Sequence, residues 1–313
     1  MNKVTSITKI ADSLPYLMIV SGALIIASNH VLARYLDGAI PPMGFVFWRM
    51  VTGAIFLLPF TVYGLLKNRE FILKHWKLFL LMGALFVPLG NGLIYVSYLY
   101  TTAINGGVVS ASQPALTVLL SWLLFNEFIN WKQSVGILIA GVGVLSIITN
   151  GELSTLAGLQ FNIGDLVMLA AVIFGALYNV LIRKVPREIP ISQLLIIVLC
   201  TGSLITLPLY ILETIYIAPV KITPLNIFSI IWVGVAVTTI AVGMISFSIR
   251  KIGANKASIS NYMRALFTAL LAVLILDENF EFYHMFAIIF VISGVFLMTL
   301  GTAAKNDNRV KQQ

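Results

Sequence analysis

The sequence predicts an all-α membrane protein: ten transmembrane helices forming two inverted-topology five-helix repeats. Three observations predict it: an apolar composition, runs of bilayer length, and a second half that repeats the first. Apolar residues make up 59% of the 313-residue chain and charged residues 10%, where a soluble globular chain carries roughly 25% charged. The apolar runs are about 20 residues long, as a helix crossing a ~30 Å hydrocarbon core requires. Outer-membrane strands would be ~10 residues long with alternating polarity, which excludes a barrel. The single cysteine, Cys200, excludes an internal disulfide and reads as a small packing residue. In a soluble protein a net charge of +8 would raise nucleic-acid binding. Here the placement of the basic residues accounts for it, and no nucleic-acid partner is expected.

The ten apolar segments are Leu14–Leu36, Pro42–Leu66, Trp76–Tyr100, Thr102–Phe125, Trp131–Thr149, Ile163–Lys184, Ser192–Leu212, Asn226–Phe247, Ile252–Leu276 and Phe282–Gly301. The first, preceded by Lys3 and Lys9, has the flank of a signal peptide but a longer core, and is expected to remain as a helix. The fourth carries Gly107, Ser110, Ala111, Pro114, Thr117 and Ser121 at helical spacing, so they share one face. Small faces let helices pack closely in lipid, and this one is expected to join the two halves. No connection is long enough for a separate domain; the longest, 150–162 and 213–225, run to about a dozen residues. Function is therefore expected among the helices. With both termini in the cytoplasm, 16 of the 20 Lys and Arg face inward and only Arg34 and Lys221 face outward, while Arg49 and Arg264 fall within spans. Lys and Arg favour the cytoplasmic side, so this bias predicts the orientation.

The halves divide as residues 1–150 and 151–313. His30-Val31-Leu32-Ala33-Arg34 resembles Asn179-Val180-Leu181-Ile182-Arg183 at an offset of 149, which Pro41 and Pro190 keep. Glu127 and Glu278, Gly92 and Gly243, and Gly143 and Gly294 match at an offset of 151. Five spans per half is an odd number, so the second half enters from the opposite side, placing Glu127 at the inner surface and Glu278 at the outer one. Inverted repeats are a design of secondary transporters, because the halves can exchange conformations.

The two halves also resemble the paired EamA-type repeats of the drug/metabolite transporter superfamily. The resemblance rests on Ile26-Ala27-Ser28-Asn29-His30-Val31 with Phe174-Gly175-Ala176-Leu177-Tyr178-Asn179-Val180, on Phe47-Trp48-Arg49, and on Pro114 and Glu127 followed by Gly136, Gly141 and Gly143. Ile25-Ile26 stand where a Trp-Gly often precedes Ser-Asn in that family, and Ala265 stands in the second half where the first has Pro114. The resemblance implies ten spans in a bacterial cytoplasmic (inner) membrane and export of amino acids, other metabolites or drugs.

Ionisable residues inside a bilayer are costly and mark functional sites. Arg264 lies about 12 residues into its span, ~18 Å along a helix, near the midplane. Its repeat partner Gln113 lies at matching depth. Arg264 is expected either to hold a substrate carboxylate with Gln113 beside it, or to be satisfied by backbone carbonyls freed at Pro114 or Pro88. Arg49 is expected to join this cationic site or to snorkel to the surface. Asp165, at the start of the sixth span, is expected to pair with Arg49 or Arg34. His30 is the only deep group that titrates near neutrality. It either carries a proton or stays neutral in a hydrogen bond between helices. Asn91 and Tyr95 follow Pro88-Leu89-Gly90-Asn91-Gly92, a break that can hinge the third span or expose carbonyls. Asn179 holds the place of His30 in the second half, and Tyr262 precedes Arg264. His75 and His284 read as loop residues at span ends. Gly136, Gly141 and Gly143 are expected to serve packing, with a homodimer face as the alternative.

No phosphate-binding loop, metal-spaced cluster or nucleophile constellation is present, so no cofactor, metal or catalysis is expected. The leading expectation is alternating-access export of an amino acid or related carboxylate, coupled to protons or facilitated. Two others stand beside it: import or exchange of a nucleoside- or sulfonium-type metabolite, and a membrane-embedded enzyme or assembly factor that moves nothing.

Overall fold

The computed structural model describes residues 2–36, 38–126, 128–152, 161–186, 188–252 and 259–310. Among the described residues, ten helical spans follow one another, the fourth being a bent pair. They are α1 (Asn2–Leu36), α2 (Pro42–Lys67), α3 (Trp76–Ser97), α4 in two pieces, α5 (Trp131–Ile148), α6 (Ile163–Lys184), α7 (Ile191–Tyr216), α8 (Pro224–Ile249), α9 (Ile259–Leu276) and α10 (Phe282–Val310). The pieces of α4 are α4a (Ala103–Ala111) and α4b (Gln113–Phe125). The end of α1 defines the Leu36 side; the end of α2 defines the Lys67 side. Glu127 and Lys256 lie outside the described residues.

Local chemistry sets the helix ends. The Thr102 hydroxyl caps α4a at the Asn105 N–H, 3.2 Å away, and the Thr223 hydroxyl caps α8 at the Asn226 N–H, 3.2 Å away. Asn130 and Gln133 form a reciprocal capping box on α5, satisfying two donors that a helix start leaves open. Asn126 after α4b and Asp277 after α9 both take left-handed backbone, at φ 51° and 52°. These positions are related by the 151-residue offset, so the halves end their fourth spans alike.

The fourth span differs from its sequence expectation of one continuous helix. It bends by 40° between α4a and α4b. Pro114 has no N–H for the Ser110 carbonyl, and its ring crowds that turn. Its counterpart α9 has Ala265 at the matching place and runs unbroken from Ile259 to Leu276.

Both third spans contain π-helix, at Leu85–Gly92 in α3 and Trp232–Ala241 in α8. Pro88 and two glycines signal the first. The second has no proline, and the Thr238 hydroxyl donates to the Val233 carbonyl at 2.9 Å. A π-turn widens the helix and is frequent at functional sites.

Glycines bring the halves together in symmetric pairs. A Cβ on Gly53 of α2 would stand 2.8 Å from the Gly234 carbonyl oxygen of α8, and one on Gly83 of α3 would stand 2.6 Å from the Gly202 nitrogen of α7. The repeat relates Gly53 to Gly202 and Gly83 to Gly234, so the two contacts are one contact seen twice. The α5–α10 seam repeats the pattern. A Cβ on Gly136 would stand 2.5 Å from the Gly294 carbonyl oxygen, and one on Gly143 would stand 2.9 Å from that of Ala287. Without a hydrophobic force between helices in lipid, such close backbone contact supplies the dispersion energy. Gly136 and Gly143 are thus occupied within the chain, in the packing role expected of them. The small face of the fourth span is realised mainly on α4a, whose nine residues are all buried, with Gly107 against Thr268 of α9.

Large apolar side chains cover the outside, among them Phe60, Tyr63, Leu138, Leu204 and Leu274. Cys200, expected to pack inside, is exposed on this surface. The protein is a ten-helix, multi-pass membrane protein.

Candidate functional site

A central cavity of about 200 Å³ lies between the halves. Its walls come from α1, α2, α3, α4, α6, α8 and α9, and include His30, Arg49, Asn91, Gln113, Asn179 and Arg264. Six of the eight residues singled out from sequence therefore line one space. Tyr95 stands behind it: its hydroxyl donates to the Asn29 side chain, which does line the cavity, and its ring lies 5.0 Å from the Arg49 guanidinium carbon. Tyr262 does not reach it. Its hydroxyl is 3.4 Å from that of Thr299 on α10, so it joins α9 to α10.

Arg49 is held by the crossing of α2 and α8, one turn from the Gly53–Gly234 contact. It is 2% exposed, which removes the snorkelling alternative. One terminal nitrogen donates to Asn91 Oδ1 at 2.5 Å, and Asn91 Nδ2 donates to the Phe86 carbonyl at 2.6 Å. That carbonyl lies in the π-turn of α3, so Asn91 links the turn to Arg49. Arg49 Nε is enclosed and has no hydrogen-bond partner.

Arg264 reaches from α9 to the bend in α4. One terminal nitrogen donates to the Ser110 carbonyl at 3.2 Å, the oxygen that Pro114 leaves without its helical partner. The backbone alternative is thus realised in part. Arg264 Nε is enclosed without a partner, like that of Arg49. Gln113 follows the bend and lies over Gly175 of α6, where a Cβ would stand 2.6 Å from Gln113 Nε2. Gly175 leaves room for the side chain.

His30 Nδ1 is hydrogen-bonded to the Tyr98 hydroxyl at 2.5 Å. This is the contact between helices that stood as the alternative to a proton role. Arg34 donates to the Tyr98 carbonyl at 2.9 Å. Asp165 pairs with neither arginine, which corrects that expectation. It is fully buried and accepts from the Thr101 hydroxyl and from Asn105 Nδ2 at 3.3 and 3.4 Å. His284 is likewise no loop residue. It is 2% exposed within α10. Its Nδ1 accepts the Glu281 N–H at 2.9 Å, so Nε2 carries the proton donated to Asn105 Oδ1 at 3.0 Å. These groups form a polar layer between the cavity and the Leu36 side.

Two carboxylates close that layer from the second half onto the first. Glu213 of α7 accepts from the N–H groups of Met43 and Gly44 at 3.0 and 2.7 Å. Glu278, after α9, accepts from those of Ala103 and Ile104 at 2.7 and 3.0 Å. Each sits on a helix start, where open donors and the helix dipole favour an anion. On the Lys67 side, the repeat-related place of Glu213 is Gly64 and that of Gly44 is Gln193. There the contact is neutral: Asn68 Nδ2 donates to Gln193 Oε1 at 2.8 Å, beside Gly64.

Sequence reasoning missed Glu213, Asn105 and the π-turn of α8. Asn105 sits three residues past the capping Thr102 in an apolar run, and Thr238-Thr239 interrupts another; both are polar signals within spans.

Comparison with known proteins agrees with this architecture. The EamA-like transporter family matches residues 13–149 and 162–300, one copy in each half. "Uncharacterized transporter YyaM" of Bacillus subtilis is 25% identical over 253 residues, 78% of this chain and 80% of that one. An "Uncharacterized transporter" of Archaeoglobus fulgidus is 22% identical over 290 residues, 92% and 98% of the two chains. A solved structure described only as "Crystal structure of protein" shares the fold, with a TM-score of 0.57 and 19% identity over 90% of this chain and 96% of that one.

Proposed function

The chain belongs to the EamA-like transporter family, and on that premise we propose that it exports a small organic metabolite across the bacterial cytoplasmic membrane by alternating access. Amino acids or related carboxylates are the leading class. One observation carries the proposal: Arg49 of the first half and Arg264 of the second line the same central cavity, and among the described residues no Asp or Glu lines it. A site between inverted halves can face either side as they rock. Two guanidiniums suit an anionic group and oppose a cationic sulfonium.

The basic residues assign the Lys67 side to the cytoplasm. The carboxylate clamps and the buried polar layer then seal the outer side, and opening outward breaks them. Each clamp joins the two halves, so the same contacts that stabilise one state must be released to reach the other. His30 lies between the cavity and that layer and is the candidate for proton coupling. The domains act as the moving halves, residues 1–150 against 151–313.

Transport by Arg264→Ala tests the site. Counterflow in vesicles should be lost while membrane insertion and monodispersity stay as in the wild type. Normal counterflow by that variant overturns the assignment.

A further inference from the structure

Small carboxylates and amino acids differ in one respect that the cavity can read: the amino acid brings an ammonium. Every charged side chain among the lining residues is a guanidinium. Both have an enclosed Nε–H with no partner among the described residues, so no protein group offsets the guanidinium there. The Asn29 and Asn91 side-chain oxygens are already engaged, by Tyr95 and Arg49. Backbone oxygens at the helix breaks also accept side-chain donors: Phe86 from Asn91, Val233 from Thr238 and Ser110 from Arg264. A cation there would also sit beside two fixed positive charges in a space of low dielectric, where repulsion is strongest.

We infer that the transported species is a compact organic dianion, a dicarboxylate of about four or five carbons. One carboxylate lies at Arg49 and the other at Arg264. This rests on the transport reading and narrows it, excluding zwitterionic amino acids. Two negative charges neutralise the two guanidiniums, and planar carboxylates match the fork of N–H donors bidentately. The arginines come from opposite halves, on α2 and α9. A two-headed anion therefore bridges the parts that must move together, with one carboxylate for each guanidinium. Size agrees with this choice. A cavity of about 200 Å³ is small beside the ~300–1,000 Å³ of pockets for drug-sized ligands. That suits a four-carbon diacid. Gln113 and Asn179 add neutral donors to the same walls.

Three compounds of one chain length isolate the charge: succinate, 4-aminobutyrate and 1,4-butanediol. The full-length protein in proteoliposomes is assayed for self-exchange of each, with alanine and glutamate included as zwitterionic amino acids. Succinate is expected to exchange, at a half-saturating concentration at least tenfold below that of any other compound. Arg49→Gln and Arg264→Gln should each shrink the preference of succinate over 4-aminobutyrate at least tenfold. Exchange of alanine or 4-aminobutyrate as good as that of succinate overturns the dianion inference and leaves the transport reading standing. No exchange of any compound by protein that is monodisperse before and after reconstitution counts against both.

Discussion

Replacing Glu278 by Gln weakens a contact that holds the second half to the first on the Leu36 side. The carboxylate accepts two N–H bonds, of 2.7 Å from Ala103 and 3.0 Å from Ile104, at the start of α4a. Gln keeps one through Oε1 and turns its own N–H groups toward the other. A hydrogen bond to a charged group contributes ~1.5–3 kcal/mol, and an anion at a helix start adds ~0.3–1 kcal/mol. Glu278 is half-buried, so solvent screens it and the low end applies. The loss is about 2 kcal/mol, or ~30-fold in the ratio of outward-open to closed protein. The assay is labelling of Ser97→Cys in a Cys200→Ser background by a membrane-impermeant maleimide added outside. Ser97 is fully buried, and its hydroxyl donates to the Ile94 carbonyl of its own helix and to the Met168 sulfur of α6. Glu278→Gln should raise its labelling rate at least tenfold. An unchanged rate in folded protein would refute a clamp that breaks when the outer side opens.

Three further outcomes are expected. Gly136→Ala places a Cβ against the backbone of α10, so overpacking should cost ~1–3 kcal/mol and lower the melting temperature. Gly141→Ala meets nothing within 4 Å and should not, as thermal unfolding of the two variants will report. Gly175→Ala drives Gln113 from its place, so it should raise the half-saturating substrate concentration several-fold with little change in unfolding temperature. If His30 carries the coupled proton, His30→Gln should flatten the pH dependence of transport, whereas intact transport with its pH dependence removes that role.

The fold was readable because bilayer length and the 151-residue echo are properties of the chain itself. The glycines that fix the seams could be seen in sequence, yet not their partners. Gly136 fits a dimer face as well as it fits Gly294, and only the course of α10 decides between them. The site was readable where charge is costly: Arg49, Arg264 and His30 stand out in apolar runs, and the repeat supplied Gln113. Polar groups that act through backbone geometry were harder to read. Pro114 pointed to a freed carbonyl, but not to a bent span or to the Ser110 carbonyl as the one that receives Arg264. Asp165 looked like a counter-ion because two arginines lie at similar depth. Its partners proved to be Thr101 and Asn105, which the turn from α3 into α4a carries to it. Tyr262 shares a helix with Arg264 but stands two residues away, about 200° around the axis, and so faces α10 instead.

Ligand-induced stabilisation tests most directly whether this cavity holds the substrate. A ligand at 100 times its dissociation constant stabilises the folded state by ~2.7 kcal/mol. Thermal unfolding of the purified wild type and of Arg264→Ala, against one panel of carboxylates, amino acids and nucleosides, reads that effect. The account predicts a rise with a carboxylate for the wild type and none for Arg264→Ala. An equal rise in both proteins would contradict it.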